Sequence, residues 1–310
     1  TSNQLSNLIY YENTYLDLDD DYSLTYAVSI NNKNGLVIDG NGHTIDGQGS
    51  RIFEINSNCI NITFKNIVFK NSRDSAIYLA HQDNYDYSYV TFENCTFMDN
   101  YAPKYGGAIR VNFLNQRGMY GEIHLINCNF TRNSAVNGGG AVYASSTDVT
   151  AENVLFEANS AIYGGAISLF SSATLTAKTV TFKDNTAKVN GGVMYTSKST
   201  ANLTNVTVTG NKATGYTIET DIVDEETGEP TGEKQTETIA GNGGAFYINS
   251  ISTFNGTSIV ATGNTASNGG FMFAGAKSTI KINGESTIKS NSATSTESQS
   301  GGGAFYLKDC

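Results

Sequence analysis

The sequence predicts an all-β fold: a right-handed, single-stranded parallel β-helix (a β-solenoid) with about three strands per coil. Three observations lead there. The first is recurrence: Phe97 to Asn100, Phe130 to Asn133, Phe156 to Asn159 and Phe182 to Asn185 repeat Phe-x-x-Asn, with weaker copies at Asn211, Asn264 and Asn291. The second is the corner after each copy: Gly106, Gly107 and Ala108; Gly139, Gly140 and Ala141; Gly164, Gly165 and Ala166; Gly191, Gly192 and Val193. From Asn133 through Asn159 and Asn185 to Asn211 the spacing is 26 residues, a period that belongs to solenoids, propellers and arrays. The third is texture. Ile167 and Leu169, Leu175 and Ala177, and Val180 and Phe182 alternate with polar residues in the two-residue period of strands, and no helical run intervenes. Three short strands and three corners fill one such coil, whereas a four-stranded propeller blade needs about 40 to 45 residues. Parallel crossovers are predominantly right-handed, which sets the expected hand.

Taken in order along the chain, residues 3–11 place Leu5, Leu8 and Ile9 on one face of a short helix, and the segment 1–30 reads as a cap over the first coil. Residues 31–310 are then the coils, opening with strands around 36–38 and 52–55. Phe97, Phe130, Phe156, Phe182 and Val208 stand three residues before their Asn and form a column of interior side chains. The Asn column takes a corner where Asn tolerates the left-handed conformation and its amide bonds to the coils above and below. The Gly pairs mark a second corner that requires φ > 0. They are not phosphate cradles, because no helix follows them. Between Asn211 and Phe246 the segment 214–241 reads as a protruding acidic hairpin or a mobile loop, and a smaller insertion, 294–300, sits at the same corner two coils on. Residues 302–307 begin a fresh coil, so the chain is expected to be a fragment of a longer protein that continues past Cys310.

Composition fits one elongated domain with a thin continuous core: 39% hydrophobic residues, 32 Gly, no Trp, and Pro at 103 and 230 alone. The formal charge of −10 is concentrated, since 214–241 holds eight acids against Lys234. No basic patch is present to favour nucleic acid, and no stretch is apolar enough for a membrane span. Six glycosylation sequons, at Asn61, Asn94, Asn129, Asn202, Asn205 and Asn255, fit an exported chain. Cys95 and Cys128 each lie five residues before their Asn and stack in adjacent coils. A disulfide is within reach there, but the nearly parallel Cβ directions and the apolar slot-mates Ile67, Val154, Val180 and Val206 favour two buried thiols.

The residues Ile38 to Gly47 (IDGNGHTIDG), then Asn61 to Asn66 (NITFKN), with the paired Gly-Gly-Ala-Ile and Phe-x-x-Asn motifs, carry a family resemblance. The chain resembles the repeats of polymorphic outer membrane proteins, and most closely the adhesin-like surface proteins of methanogenic archaea, over residues 36–310. The resemblance implies a non-catalytic, exported adhesin on a cell surface that binds a glycan or protein of another cell. It implies no cofactor or metal, and membrane association only through an anchor outside the fragment, which would itself be monomeric. Unlike the bacterial branch, this chain shows no outer-membrane barrel.

Two sets of residues are candidates for binding. If Ile77, Ile109, Val142, Ile167, Met194, Phe246, Met272 and Phe305 point inward, the next residues point out, and six of these eight are aromatic: Tyr78, Tyr143, Tyr195, Tyr247, Phe273 and Tyr306. Such a row stacks on sugars or on a partner's apolar side chains; alternatively its rings serve only to stabilise one another along the sheet. The second set lies in two adjacent coils whose corners carry about six extra residues each. One insertion brings His81, Tyr85, Tyr87 and Tyr89, the other Arg117 and Tyr120. Together they wall a groove, or simply cover a corner.

The rival class is enzymatic, because pectin-lyase-like β-helices include polysaccharide lyases and hydrolases. These need acids converging on one coil face, usually with Arg or Lys. Here Asp39 and Asp46 belong to the opening strands, and His43, His81 and His124 stand isolated without metal-ligand spacing. No catalytic row runs across the regular coils, so an enzyme is not expected. A third reading is a structural stalk.

Overall fold

The computed structural model describes residues 1–56, 59–79, 87–112, 120–224, 227–275, 277–295 and 301–310, with Tyr87 and Tyr120 described by backbone alone. The chain winds as stacked coils whose strands form three parallel sheets, of sixteen, ten and seven strands among the described residues. Each residue pairs with its equivalent one coil on: Phe97 with Phe130, Phe130 with Phe156, Phe156 with Phe182. From the sixth coil the first two strands of a turn fuse into one, as in Thr147–Glu157, Thr174–Lys183 and Thr200–Thr209. A single left-handed residue bends each (Asn153 φ 56°, Thr179 φ 55°, Asn205 φ 53°). The alternation slips there by one, so that Val149 and Ala151 before the bend and Val154 and Phe156 after it all face inward.

The interior is built from columns. Phe69, Phe97, Phe130, Phe156 and Phe182 stack at centroid separations of 4.8, 4.7, 4.8 and 5.3 Å. Burying each ring contributes roughly 1.5–3 kcal/mol, and each parallel contact about 0.5–1.5 kcal/mol more. Beside them Asn100, Asn133, Asn159, Asn185, Asn211 and Asn264 are fully buried. The Asn133 side-chain amide donates to Asn159 Oδ1 (3.0 Å) and to the Phe97 carbonyl (2.9 Å), while Asn159 Oδ1 also accepts from the Asn133 backbone N–H (2.9 Å).

The left-handed corner lies one residue earlier than expected, at Asp99, Arg132, Ala158 and Asp184 (φ 53–56°) and at Gly210 and Gly263. The preceding residue makes the turn. Asn keeps an ordinary backbone conformation and is required for an amide that donates twice and accepts twice in a water-free interior. The Gly pair divides its roles in the same way. Gly139 takes φ +62°, whereas at Gly140 a Cβ would stand 2.1 Å from the Gly165 carbonyl oxygen of the next coil. Only the first glycine is there for its φ; the second is there because two backbones pass too closely for a side chain.

At the start of the chain the helix Ser2–Tyr11 opens with a Thr1–Gln4 capping box and lays Leu5 and Ile9 over the open end of the core. Leu8 is 38% exposed, so the covering stripe is the i, i+4 pair alone. The third buried residue is Ser2, whose hydroxyl donates to the Tyr26 carbonyl. The Lys33 ammonium, nearly buried, donates to the Tyr10 and Glu12 carbonyls (3.1 and 2.8 Å) and to Asn13 Oδ1. A cation there meets the negative end of the helix dipole. Strand pairing begins within the first 30 residues, Tyr15–Asp17 lying on Val37–Asp39. Tyr216–Val223 and Pro230–Ile239 form an antiparallel hairpin exposed along nearly its whole length. Of the two expectations for the acidic insertion, the described residues take the hairpin. Glu225, Glu226 and the end of the smaller insertion, 296–300, lie outside the described residues.

Candidate binding surface

The ten-strand sheet sets the six candidate aromatics in one outward file. Its register runs Tyr78, Arg110, Tyr143, Ser168, Tyr195, Tyr247, Phe273, Tyr306. The last four rings stack nearly parallel, at 5.3, 4.9 and 5.0 Å. Ser168 interrupts the file, its hydroxyl turned onto the Tyr163 carbonyl (2.9 Å). Phe170, two residues on and therefore on the same face, closes the gap, at 5.5 Å from Tyr143 and 5.4 Å from Tyr195. Tyr105 and Tyr163 buttress the file from the Gly corner, 4.4 Å from Tyr143 and 5.4 Å from Tyr195.

These three residues were missed in the sequence. The i+2 spacing of Phe170 and the Tyr-Gly pairs at 105–106 and 163–164 were the available signals. At the near end the file continues through charge: the Arg110 guanidinium lies 4.9 Å from the Tyr78 centroid, and that of Arg51 lies 4.3 Å from the same ring. Burial, then the neighbouring Tyr105, pushes the Tyr143 hydroxyl up to about 12. Burial, then Tyr195 and Tyr163, raises that of Tyr247. Both hydroxyls stay protonated at physiological pH and present a donor as well as an acceptor.

The loop groove is only partly within view. His81, Tyr85 and Arg117 lie outside the described residues. Tyr87 and Tyr120 are direct backbone partners in adjacent coils, and Tyr89 pairs with Glu122. Tyr89 sits on the outer face of the sixteen-strand sheet, so it does not join the aromatic file. Its ring stacks on His124 at 4.4 Å. His124 is not isolated as the sequence suggested: Nε2 meets Glu122 Oε2 at 3.1 Å and Nδ1 meets Thr150 Oγ1 at 2.7 Å. Asp148 follows Glu122 in register, and burial raises its carboxyl above the usual range against a hydrogen bond from Thr174. The signal was Glu122-x-His124, two residues that alternation puts on one face. His43 likewise has a partner, Asp21, at 3.2 Å. Among the described residues no group of three His, Cys, Asp or Glu side chains is placed to hold a metal ion.

Of the sequons, Asn61, Asn94, Asn129 and Asn205 are exposed. Asn202 and Asn255 are half-buried and bonded to each other (2.8 Å). Asn94 also belongs to a second, outer ladder that sequence reading missed, running Asn66, Asn94, Asn127, Asn153 through side-chain amides at 2.8–3.2 Å. Cys59, Cys95 and Cys128 are buried free thiols, Cys310 is exposed and free, and burial raises the Cys95 thiol first of all.

The chain matches the family described as right handed beta helix region over residues 22–222. It belongs to that family. The match runs from the first coil through Thr200–Thr209 and into the first strand of the hairpin, the coils from Phe246 onward lie beyond it, and the hand of the family is the one expected from the crossover rule. Among solved structures the chain resembles the Siphovirus 9NA tailspike receptor binding domain, with 10% sequence identity and a TM-score of 0.32, covering 99% of this chain and 74% of that one. No curated protein matches it.

Proposed function

We propose that this right-handed β-helix is a non-catalytic binding module of an exported surface protein, and that its adhesive face is the outer face of the ten-strand sheet. The observation that carries this reading is the near-continuous file of rings from Tyr143 to Tyr306, closed by Phe170. Strand propensity does not account for it, because the sixteen-strand sheet meets the same demand in the same coils with Thr174, Thr200, Thr253 and Thr279. Two outer faces of one coil carry different chemistry. Half-buried rings at one-rung spacing suit the apolar faces of successive sugars or the aliphatic side chains of a partner protein.

The finer reading is an adhesin of the kind the repeats resemble, with polymorphic outer membrane protein motifs of the archaeal type, displayed outside the cell and glycosylated at its exposed sequons. No helix among the described residues is long and apolar enough to cross a membrane. A glycan array and whole-cell binding screen tests the proposal: it predicts a ligand, whereas a pure stalk predicts none.

A second reading has one observation in its favour. Glu122, His124 and Asp148 stand together on the sixteen-strand sheet, with burial raising the Asp148 carboxyl from its ordinary value, and carboxylates grouped with a histidine are the residue types that acid–base cleavage of a polysaccharide uses. Reducing ends or unsaturated products released from a polysaccharide panel, and lost in Glu122→Gln, would favour this reading over simple adhesion.

A further inference from the structure

Arg110 interrupts the aromatic file with the one charged side chain in it. Its guanidinium lies between two rings, 4.9 Å from the Tyr78 centroid and 5.9 Å from that of Tyr105. Its Nε is shielded from water and has no hydrogen-bond partner. The nearby carboxylates are already engaged, since Arg51 holds Glu54 at 2.9 Å and Asp74 at 2.5 Å. Arg132, by contrast, grips Asp99 through Nε and Nη2. Among the described residues the Arg110 side chain has neither a hydrogen bond nor an ion pair. Stacking on ring faces satisfies the π-face of a guanidinium and leaves the Nη donors at its rim for a planar or tetrahedral anion.

We infer that Arg110 is the anion-reading end of the aromatic file, and that the ligand is an acidic glycan whose carboxylate or sulfate takes the Arg110 fork while neighbouring sugars lie on Tyr143 and Phe170. The inference rests on the binding reading above and names its ligand class. Arg110 and Tyr143 are register partners, one rung or about 4.8 Å apart, a step comparable to the width of one pyranose ring. A guanidinium is the side chain best matched to carboxylate and sulfate geometry. The protein's own acidity does not oppose this locally. The acidic hairpin is rooted four rungs away, about 19 Å along the axis, well beyond the screening length of about 8 Å. A glycan is favoured over an acidic peptide because the charge is continuous with a platform of rings rather than with backbone hydrogen-bonding groups.

The test is calorimetric titration of the whole chain with four probes: a hexuronate oligosaccharide, its carboxyl-reduced neutral counterpart, a sulfated form of that neutral chain, and poly-L-glutamate. Wild type is expected to bind an acidic oligosaccharide at least about tenfold more tightly than the neutral one, the two acidic arms deciding between carboxylate and sulfate. Arg110→Gln should erase that preference while leaving neutral binding in place, and Arg110→Lys should retain only part of it. Equal binding of acidic and neutral chains, or a preference that survives in Arg110→Gln, overturns the inference while leaving the binding module intact. Poly-L-glutamate bound as tightly, with the same dependence on Arg110, moves the ligand to an acidic peptide and overturns the glycan. Binding of no probe, alongside a negative array screen, removes both readings. If Arg110→Gln does not fold, the wild-type acidic-to-neutral ratio decides alone.

Discussion

Asn133 and Asn159 are joined twice: one oxygen, Asn159 Oδ1, accepts both the side-chain amide and the backbone N–H of Asn133, at 3.0 and 2.9 Å. The link repeats from Asn100 to Asn264, so each coil's corner is tied to the next inside the core. Asn159→Ala leaves two donors of Asn133, its backbone N–H and one amide hydrogen, without partners where water does not reach. It is predicted to destabilise the protein by at least about 3 kcal/mol, read as a lowered melting temperature by circular dichroism. A loss below about 1 kcal/mol would show that water replaces the ladder.

The two kinds of glycine should separate by substitution. Gly140→Ala drives a Cβ into the Gly165 carbonyl and is predicted to block folding or strongly lower the melting temperature. Gly42 has φ +87° with nothing within 4 Å of the added atom, so Gly42→Ala meets backbone strain alone, about 1–2 kcal/mol. Equal costs at the two sites would contradict the close-approach account.

Acid should weaken the opening coils through Asp39. Burial opposes its ionisation, but hydrogen bonds from the Asn41 backbone, Asn66, Tyr15 and Lys65 outweigh it and hold the carboxyl well below the usual range. A carboxylate depressed in the folded state stabilises above its unfolded value of about 3.9 and loses that contribution as pH falls through the folded value. The wild-type melting temperature should therefore fall as pH drops below about 4. Asp39→Asn should melt lower at pH 7 and lose less on acidification, as thermal scans across that range will show.

Thiol reactivity should follow burial. In the native protein a thiol reagent should titrate Cys310 alone, and all four cysteines only after unfolding. Rapid native modification of Cys95 or Cys128 would mean that the fourth and fifth coils open readily.

Much of this was legible because a parallel in-register stack turns period into position: Phe130 lies over Phe97 for the same reason that it follows it in the repeat. The outward file was legible on those terms too, once Ile109 and Val142 were taken as inward. What escaped was set by local geometry that the period does not carry. The turn falls on Arg132 rather than Asn133, because the amide is needed inside. Phe170 substitutes for the ring that Ser168 lacks, a lateral contact between different slots. His124 finds Glu122 on its own strand and Thr150 on the next, a pairing that no spacing between coils announces. Leu8 stays out because the open end of the first coil is covered by two helix residues, Leu5 and Ile9.

The most direct test of the central claim compares two double variants for binding to whichever glycan or cell surface the screen selects. Tyr195→Ala with Tyr247→Ala removes two stacked rings from the ten-strand sheet, and Thr200→Ala with Thr253→Ala changes the sixteen-strand sheet in the same coils. Because those rings pack on one another, the first variant should also melt somewhat lower, so affinity is measured well below either transition. The account predicts at least about a tenfold loss for the tyrosine pair and no change for the threonine pair. Unchanged binding in the tyrosine variant, or an equal loss in both, would contradict it.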